Sequence, residues 1–229
     1  MSQSILIVIP ARYASTRLPG KPLVKIAGKE MIRRVADIAE SICRHNDDCH
    51  YVVATDDTRI LDFCNGAGIP VVMTAETCRS GTERCWDAVS QQAEAPAFII
   101  NLQGDNPLCP PWVIQQLIDA WKAAPADVFT PCIHLDWNEY DRLVESKKTT
   151  PYSGTTVLVD KDGYAMAFSK STIPAIRKPE KARATLPKSP VRRHVGLYSY
   201  TYAALKNYFE LPESDYEMGA VEGLEQMRF

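Results

Sequence analysis

The sequence predicts an open, mostly parallel, Rossmann-like α/β sheet with helices on both faces, followed by a smaller antiparallel subregion. Ile5 to Ile9 is an unbroken apolar run, which is how a strand buried on both faces reads. Apolar strands and amphipathic helices then alternate with short links, the pattern of parallel βαβ units. From about residue 127 the pattern shifts to strand-like runs joined by turn signals, which favours antiparallel pairing.

Taken in order, the strand at Ile5 to Ile9 is followed by a Pro-rich loop, and Met31, Ile32, Val35, Ile38, Ala39 and Ile42 then recur at helical spacing over residues 30 to 44. Tyr51 to Ala54 reads as a strand, with a short helix to about Gly66, a strand at Val71 to Met73 and a helix from about Thr82. Ala97 to Leu102 is another apolar strand, and Trp112, Ile114, Leu117, Ile118 and Trp121 fit a helix after it. Beyond this, strands are expected at Val128 to Leu135, Thr155 to Asp160 and Tyr164 to Phe168, the last two flanking the turn Lys161-Asp162-Gly163. Arg177 to Arg193 mixes prolines and alanines with basic residues and lacks apolar periodicity, so it reads as a mobile loop that could act as a lid. His194 to Tyr200 reads as one strand, and Ala203 to Phe209 and about Tyr216 to Phe229 as helices.

A chain of 229 residues with 45% hydrophobic content can bury a sizeable core, and one domain over 1–229 is expected, its halves meeting near residues 126 and 127. The net charge of −2 offers no general basic field, so neither nucleic acid nor an anionic membrane is expected as a partner. No apolar stretch is long enough to span a bilayer, and Ser2-Gln3-Ser4 leads into a strand without a secretion-signal pattern, which points to the cytoplasm. The seven cysteines contain no C-x-x-C pair and read as buried thiols rather than a zinc site or disulfide framework.

The loop after the first strand holds Arg12, Arg17 and Lys21, stiffened by Pro10, Pro19, Gly20 and Pro22. Three cations at the carboxyl end of a buried strand predict an anionic, phosphate-bearing ligand, because such loops form the ligand crevice of open α/β sheets. Gly20-Lys21 is not a Walker loop, since Pro22 stands where that motif needs Ser or Thr, and no G-x-G-x-x-G follows the strand. Asp105 directly follows another buried strand on the same edge and is the first-choice Mg²⁺ ligand; the alternative is that it starts a turn with Asn106-Pro107 and caps the next helix. Ser80-Gly81-Thr82-Glu83-Arg84 offers backbone N–H groups at a helix start for a base or phosphate, although helix capping explains Ser80 or Thr82 equally well. His194 and Tyr198, four apart on one strand, would share a face, an arrangement more often used for packing.

The stretch Pro10 to Leu23, with Ala54-Thr55-Asp56-Asp57, Ser80 to Arg84, Gln103-Gly104-Asp105, Phe168-Ser169, Ile173-Pro174, His194 to Tyr198 and Leu224 to Arg228, resembles the 3-deoxy-manno-octulosonate cytidylyltransferase (CMP-KDO synthetase) family along the whole chain. The resemblance implies a dimeric, cytosolic, Mg²⁺-dependent enzyme that joins CTP and an acidic eight-carbon sugar, releasing pyrophosphate, for lipopolysaccharide biosynthesis. Matched by motif position, Arg12 and Lys21 would bind the triphosphate with Arg17 and Ala11 nearby, and Asp105 would hold the metal. Ser80, Gly81 and Gln103 would lie near cytosine or ribose, and Lys170, His194, Tyr198, Glu225 and Gln226 would line the sugar pocket. The first half would bind nucleotide and the second half sugar and the partner subunit.

Three positions depart from the family pattern. Asn106 replaces the glutamate that usually follows Gly-Asp, and Lys170 replaces an arginine, losing the bidentate fork toward a carboxylate and opening an 8-amino sugar analogue as an alternative substrate. The sequence also ends at Phe229, before a Val-Asp-Thr-Pro segment whose aspartate is the family's second Mg²⁺ ligand, so a shortened chain or weak metal binding is expected. The rival classes are a non-catalytic nucleotide-binding protein and a glycosyltransferase; Asp105-Asn106-Pro107 does not supply the D-x-D motif the latter needs.

Overall fold

A computed structural model of the protein describes residues 4–14, 18–124, 126–212 and 221–228. In chain order the elements are β1 (Ile5–Pro10), β2 (Lys25–Ile26), β3 (Lys29–Glu30), α1 (Met31–Cys43), β4 (Cys49–Thr55), α2 (Thr58–Gly66), β5 (Val71–Met73), α3 (Gly81–Ser90), β6 (Phe98–Asn101), α4 (Pro111–Ala123), β7 (Val128–Phe129), β8 (Cys132–His134), α5 (Trp137–Lys147), β9 (Thr156–Val159), β10 (Ala165–Ser169), α6 (Pro179–Thr185), β11 (Arg192–His194), β12 (Tyr198–Thr201) and α7 (Tyr202–Tyr208). Single 3₁₀ turns occupy Lys21–Leu23 and Glu225–Arg228. The chain forms two compact units, one of residues up to Phe129 with Leu197–Lys206, the other of Thr130–Gly196 and residues from Asn207 onward.

The first unit is built on a six-stranded sheet of order β5-β4-β1-β6-β12-β7. β1 runs parallel to β4 on one side (Ile5 opposite Cys49) and to β6 on the other (Ile5 opposite Phe98). All six residues of β1 are buried, and successive strand side chains point to opposite faces, so both faces of the sheet are covered. α1 supplies one cover: Met31, Ile32, Val35, Ala36, Ala39 and Ile42 are its buried residues, three and four apart. α3 packs against β1, β4 and β6. The chain leaves β1 toward β4 and β5, then crosses back to β6 on β1's other side. The loops leaving β1 and β6 therefore diverge at a topological switch point, where open α/β sheets bind ligands.

Those two loops are held together by backbone. Gly104 donates its N–H to Pro10 O at 3.3 Å, and a Cβ at position 104 would lie 2.5 Å from that same oxygen. Only glycine fits so close an approach. Gly20, at φ 70°, lies in the left-handed region and opens the turn that carries Lys21.

The second unit carries an antiparallel sheet of order β10-β9-β11-β8 and a small core of Leu135, Leu143 and Val191, with Tyr140 and Ile176 packed on it. Its helix α5 has no counterpart in the sequence reading. A capping box starts it, with Asp136 accepting from Glu139 N and Glu139 accepting from Asp136 N, but Leu143 is its only buried residue, so its apolar stripe is faint.

Four expectations need correction. The single strand at Val128 to Leu135 is two, β7 and β8, in different sheets, broken around Pro131, which has no N–H for a ladder. The loop expected over Arg177 to Arg193 holds α6 and most of β11; Trp137 Nε1 donates to Leu186 O at 2.9 Å, and Arg183 pairs with Asp141 and lies over the Trp137 ring. His194 to Tyr200 is not one strand: β11 ends at His194 and β12 starts at Tyr198, again in different sheets. The described part of the expected final helix is a turn and the 3₁₀ segment Glu225–Arg228, while residues 213–220 lie outside the described residues.

Candidate active site

In the first unit, the ends of β1 and β6 and the start of α3 enclose a cavity of about 330 Å³. Ala11, Arg12, Lys21, Ser80, Gly81, Gln103 and Asp105 all line it. Seven residues expected near the nucleotide thus share one wall, although they come from three separate segments. Arg17 lies outside the described residues.

The charged centre is an ion pair. Lys21 Nζ donates to Asp105 Oδ2 at 2.7 Å, and the side chains keep 31% and 56% of their exposure. At such exposure the pair adds at most ~1 kcal/mol of stability. Its two charges therefore remain available to a ligand. Asp105 does not cap the next helix, since α4 starts at Pro111 with Pro110 as its N-cap.

α3 begins at the cavity wall. Ser80 caps it, its hydroxyl accepting from Glu83 N at 3.1 Å, so the side chain serves the helix. The first backbone N–H groups of an α-helix have no intrahelical partner and carry partial positive charge, which suits an anion or a base carbonyl. Gln103 Nε2 donates to Asn101 Oδ1 at 3.0 Å, fixing the Gln103 side chain, and a Cβ on Gly81 would meet its Oε1 at 3.2 Å.

One cation of this wall escaped the sequence reading. Arg84 is 3% exposed, lines the cavity, and donates to Thr74 Oγ1 and Asp56 Oδ2, each at 2.5 Å. The signal was its position three residues after Gly81 on one helix, hence on the same face. Asp57, next to Asp56, caps α2 by accepting from Arg59 N, whereas Asp56 neutralises Arg84.

The second unit gathers a different set. Lys170 Nζ donates to Thr155 Oγ1 at 3.0 Å, and the Lys170 backbone is gripped from both sides. Glu222 accepts from Lys170 N at 2.7 Å and from Ser169 Oγ at 2.9 Å, while Lys147 Nζ donates to Lys170 O at 2.5 Å and to Ser153 O and Gly154 O at 2.8 Å. His194 Nε2 pairs with Thr130 Oγ1 at 2.8 Å, and the Phe168 ring meets the imidazole edge-on at 5.1 Å. Burial, helped by the Lys170 charge, lowers the His194 pKa to about 4, so the ring is neutral at neutral pH. Glu225 accepts from Tyr208 OH at 3.0 Å, and Gln226 follows it in the 3₁₀ turn. Tyr198 belongs to β12 of the first unit, where it stands opposite Asn101, and so does not share a strand face with His194.

Among the described residues no group of three or more His, Cys, Asp and Glu side chains could hold a metal ion alone. Asp105 is the carboxylate that lines the cavity. Mg²⁺ keeps several waters and is commonly bound by one or two carboxylates plus substrate phosphates, so this donor set fits a metal that arrives with a triphosphate.

A switch-point cavity with cationic side chains, one carboxylate and a helix N-terminus defines a nucleotidyltransferase of the open α/β class. The cytidylyltransferase family profile matches residues 6–229. A 3-deoxy-manno-octulosonate cytidylyltransferase of Maricaulis maris is 43% identical over 98% of this chain and 83% of its own length. One from Parabacteroides distasonis is 40% identical over 97% and 84%. A solved CMP:2-keto-3-deoxy-manno-octonic acid synthetase complexed with CTP superposes with a TM-score of 0.83 at 36% identity, covering 98% of this chain and 84% of that one. The chain belongs to the 3-deoxy-manno-octulosonate cytidylyltransferase family. Cytidylyltransferases generally use a divalent metal ion.

Proposed function

We propose that this protein joins CTP to 3-deoxy-D-manno-octulosonate, giving CMP-octulosonate and pyrophosphate, as a step of lipopolysaccharide biosynthesis. The observation that carries this reading is the Lys21–Asp105 pair at 2.7 Å, seated where the β1 and β6 loops close on each other in a chain similar throughout to octulosonate cytidylyltransferases.

In the reaction the sugar's anomeric hydroxyl attacks the α-phosphorus of CTP, a P–O bond forms as the O–H proton passes to water, and the bond to the pyrophosphate leaving group breaks. Two anions must meet in line, so the protein's task is chiefly positioning and charge neutralisation. Arg12 and Lys21 neutralise the triphosphate, assisted by Arg17, while Arg84, its charge balanced by Asp56, offers the cavity wall a fixed guanidinium group. Ala11 lies beside the bound nucleotide, and Ser80, Gly81 and Gln103 contact the nucleoside through amide groups suited to a pyrimidine edge. Asp105 holds Mg²⁺, which when bound offsets phosphate charge. Lys170 attracts the sugar carboxylate, and His194, neutral, is a hydrogen-bonding partner for sugar hydroxyls with Glu225 and Gln226 of the same unit. The chain acts as one nucleotidyltransferase domain with nucleotide and sugar halves, as a homodimer, in the cytoplasm. No helix among the described residues is long and apolar enough to cross a membrane.

The test is pyrophosphate release with CTP, Mg²⁺ and the octulosonate. Lys21→Ala should lower turnover ~10²–10³-fold, the usual loss for a donor to a developing anion. A Lys21→Ala enzyme with near-normal turnover, or nucleotide binding without any pyrophosphate release by the native chain, would overturn the proposal.

A further inference from the structure

α1 ends at Cys43 and β4 begins at Cys49, and the turn between them brings their sulfur atoms to 2.8 Å. The turn is well fixed: Asn46 N donates to Cys43 O at 3.3 Å, Cys49 N donates to Asn46 O at 2.9 Å, and Asn46 Nδ2 donates to Ile42 O at 2.9 Å and to Gln115 Oε1 at 3.0 Å. Cys43 is half-buried and Cys49 buried, and neither lines the nucleotide cavity. One thiol of the pair thus faces approach from outside while the other waits behind it in contact. The hydrogen bond to Cys43, together with burial, pushes the Cys49 thiol up, so Cys49 holds its proton and Cys43 is the sulfur that meets an oxidant first.

We propose that Cys43 and Cys49 form a reversible oxidation site that closes to an intramolecular disulfide when a hydroperoxide reaches Cys43. In the first step the Cys43 sulfur attacks one peroxide oxygen, the O–O bond breaks, and the other oxygen leaves with a proton as water or alcohol, leaving Cys43 as a sulfenic acid. In the second, the Cys49 sulfur attacks the sulfenic sulfur, the S–O bond breaks, and the departing oxygen takes the Cys49 proton to leave as water. Two thiols lose two electrons in total and the peroxide gains them, so the balance closes with no further reactant. Reaching a disulfide bond of about 2.05 Å requires the two sulfurs to approach by ~0.8 Å, which side-chain rotation within a five-residue turn can supply. A dithiol reductant reverses the link by exchange.

Trypsin separates the two cysteines, because Arg34, Arg44 and Arg59 place Cys43 in residues 35–44 and Cys49 in residues 45–59. The full chain is treated with a small excess of hydrogen peroxide, alkylated under denaturing conditions, digested without reduction and read by mass spectrometry. The expected result is a linked pair of those two peptides as the main oxidised species, abolished by dithiothreitol and absent from Cys43→Ser and Cys49→Ser. In Cys49→Ser, Cys43 should instead be captured by dimedone as the sulfenic acid. The proposal is overturned if this link is no more abundant than links through the half-buried Cys78 or Cys132, or if wild-type Cys43 proceeds to sulfinic acid while Cys49 remains alkylatable.

Discussion

Gly104→Ala tests the feature that sets the site's geometry. The added Cβ would stand 2.5 Å from Pro10 O and 3.5 Å from Ala11 Cβ, and the first of these is backbone that cannot rotate aside. Relief to 3.0 Å, the shortest tolerable contact, requires the β1 and β6 loops to part by at least 0.5 Å, lengthening the 3.3 Å bond from Gly104 N to Pro10 O. Overpacking of this kind costs ~1–3 kcal/mol, and for a domain of this size each kcal/mol lowers Tm by roughly 2–4 °C. The larger effect should be on catalysis. Asp105 is the next residue, and moving it away from Lys21 by a fraction of an ångström to 1 Å is the scale of misplacement that costs ~10²-fold in rate. Pyrophosphate release at saturating and limiting CTP is therefore expected to show kcat/KM lower by ~10²-fold, alongside a thermal melt lower by a few degrees. Gly66→Ala serves as control, because a Cβ there meets nothing within 4 Å. A Gly104→Ala enzyme within threefold of the native turnover and with an unchanged melt would refute the idea that this close backbone approach fixes the two loops.

Three further outcomes are expected. Asp56→Asn removes the carboxylate that pairs with the buried Arg84 guanidinium, and stranding such a charge costs ~3–5 kcal/mol, so Tm should drop by roughly 10 °C; a drop under 2 °C would contradict it. Lys147→Met releases the carbonyls of Ser153, Gly154 and Lys170, and should raise the KM for the sugar acid about tenfold while the KM for CTP stays unchanged; equal changes in both would show a merely structural role. His194 titrates near 6.5 when unfolded and about 4 when folded, so the unfolded chain takes the proton first as pH falls. Folded stability should thus decline through the window from 6.5 to 4, by up to about 3 kcal/mol, and the difference between wild type and His194→Gln in urea unfolding should shrink by that amount between pH 7 and pH 4; a difference independent of pH would contradict it.

The first unit was largely legible because its signals are local. Ile5 to Ile9 is continuously apolar, α1 repeats its buried residues at three and four, and Asp57 and Ser80 stand where helix caps belong, so strand, helix and loop follow from neighbours in sequence. The second unit was less legible for the same reason reversed. α5 buries only Leu143, α6 buries nothing and depends on Trp137 and Asp141 from another helix, and in the run from His194 to Tyr200 only the single Gly196 marks the break between two sheets. Motif positions pointed to Arg12, Lys21, Ser80, Gly81, Gln103 and Asp105, and the chemistry each side chain carries follows from its type alone. Their convergence on one cavity is a tertiary fact, since the switch in strand order between β1 and β6 and the fit of Gly104 against Pro10 O bring residues 84 positions apart to within 2.7 Å. So are the burial of Arg84 against Asp56 and the lowered pKa of His194, because desolvation and pairing depend on what other segments cover a group rather than on its neighbours in the chain.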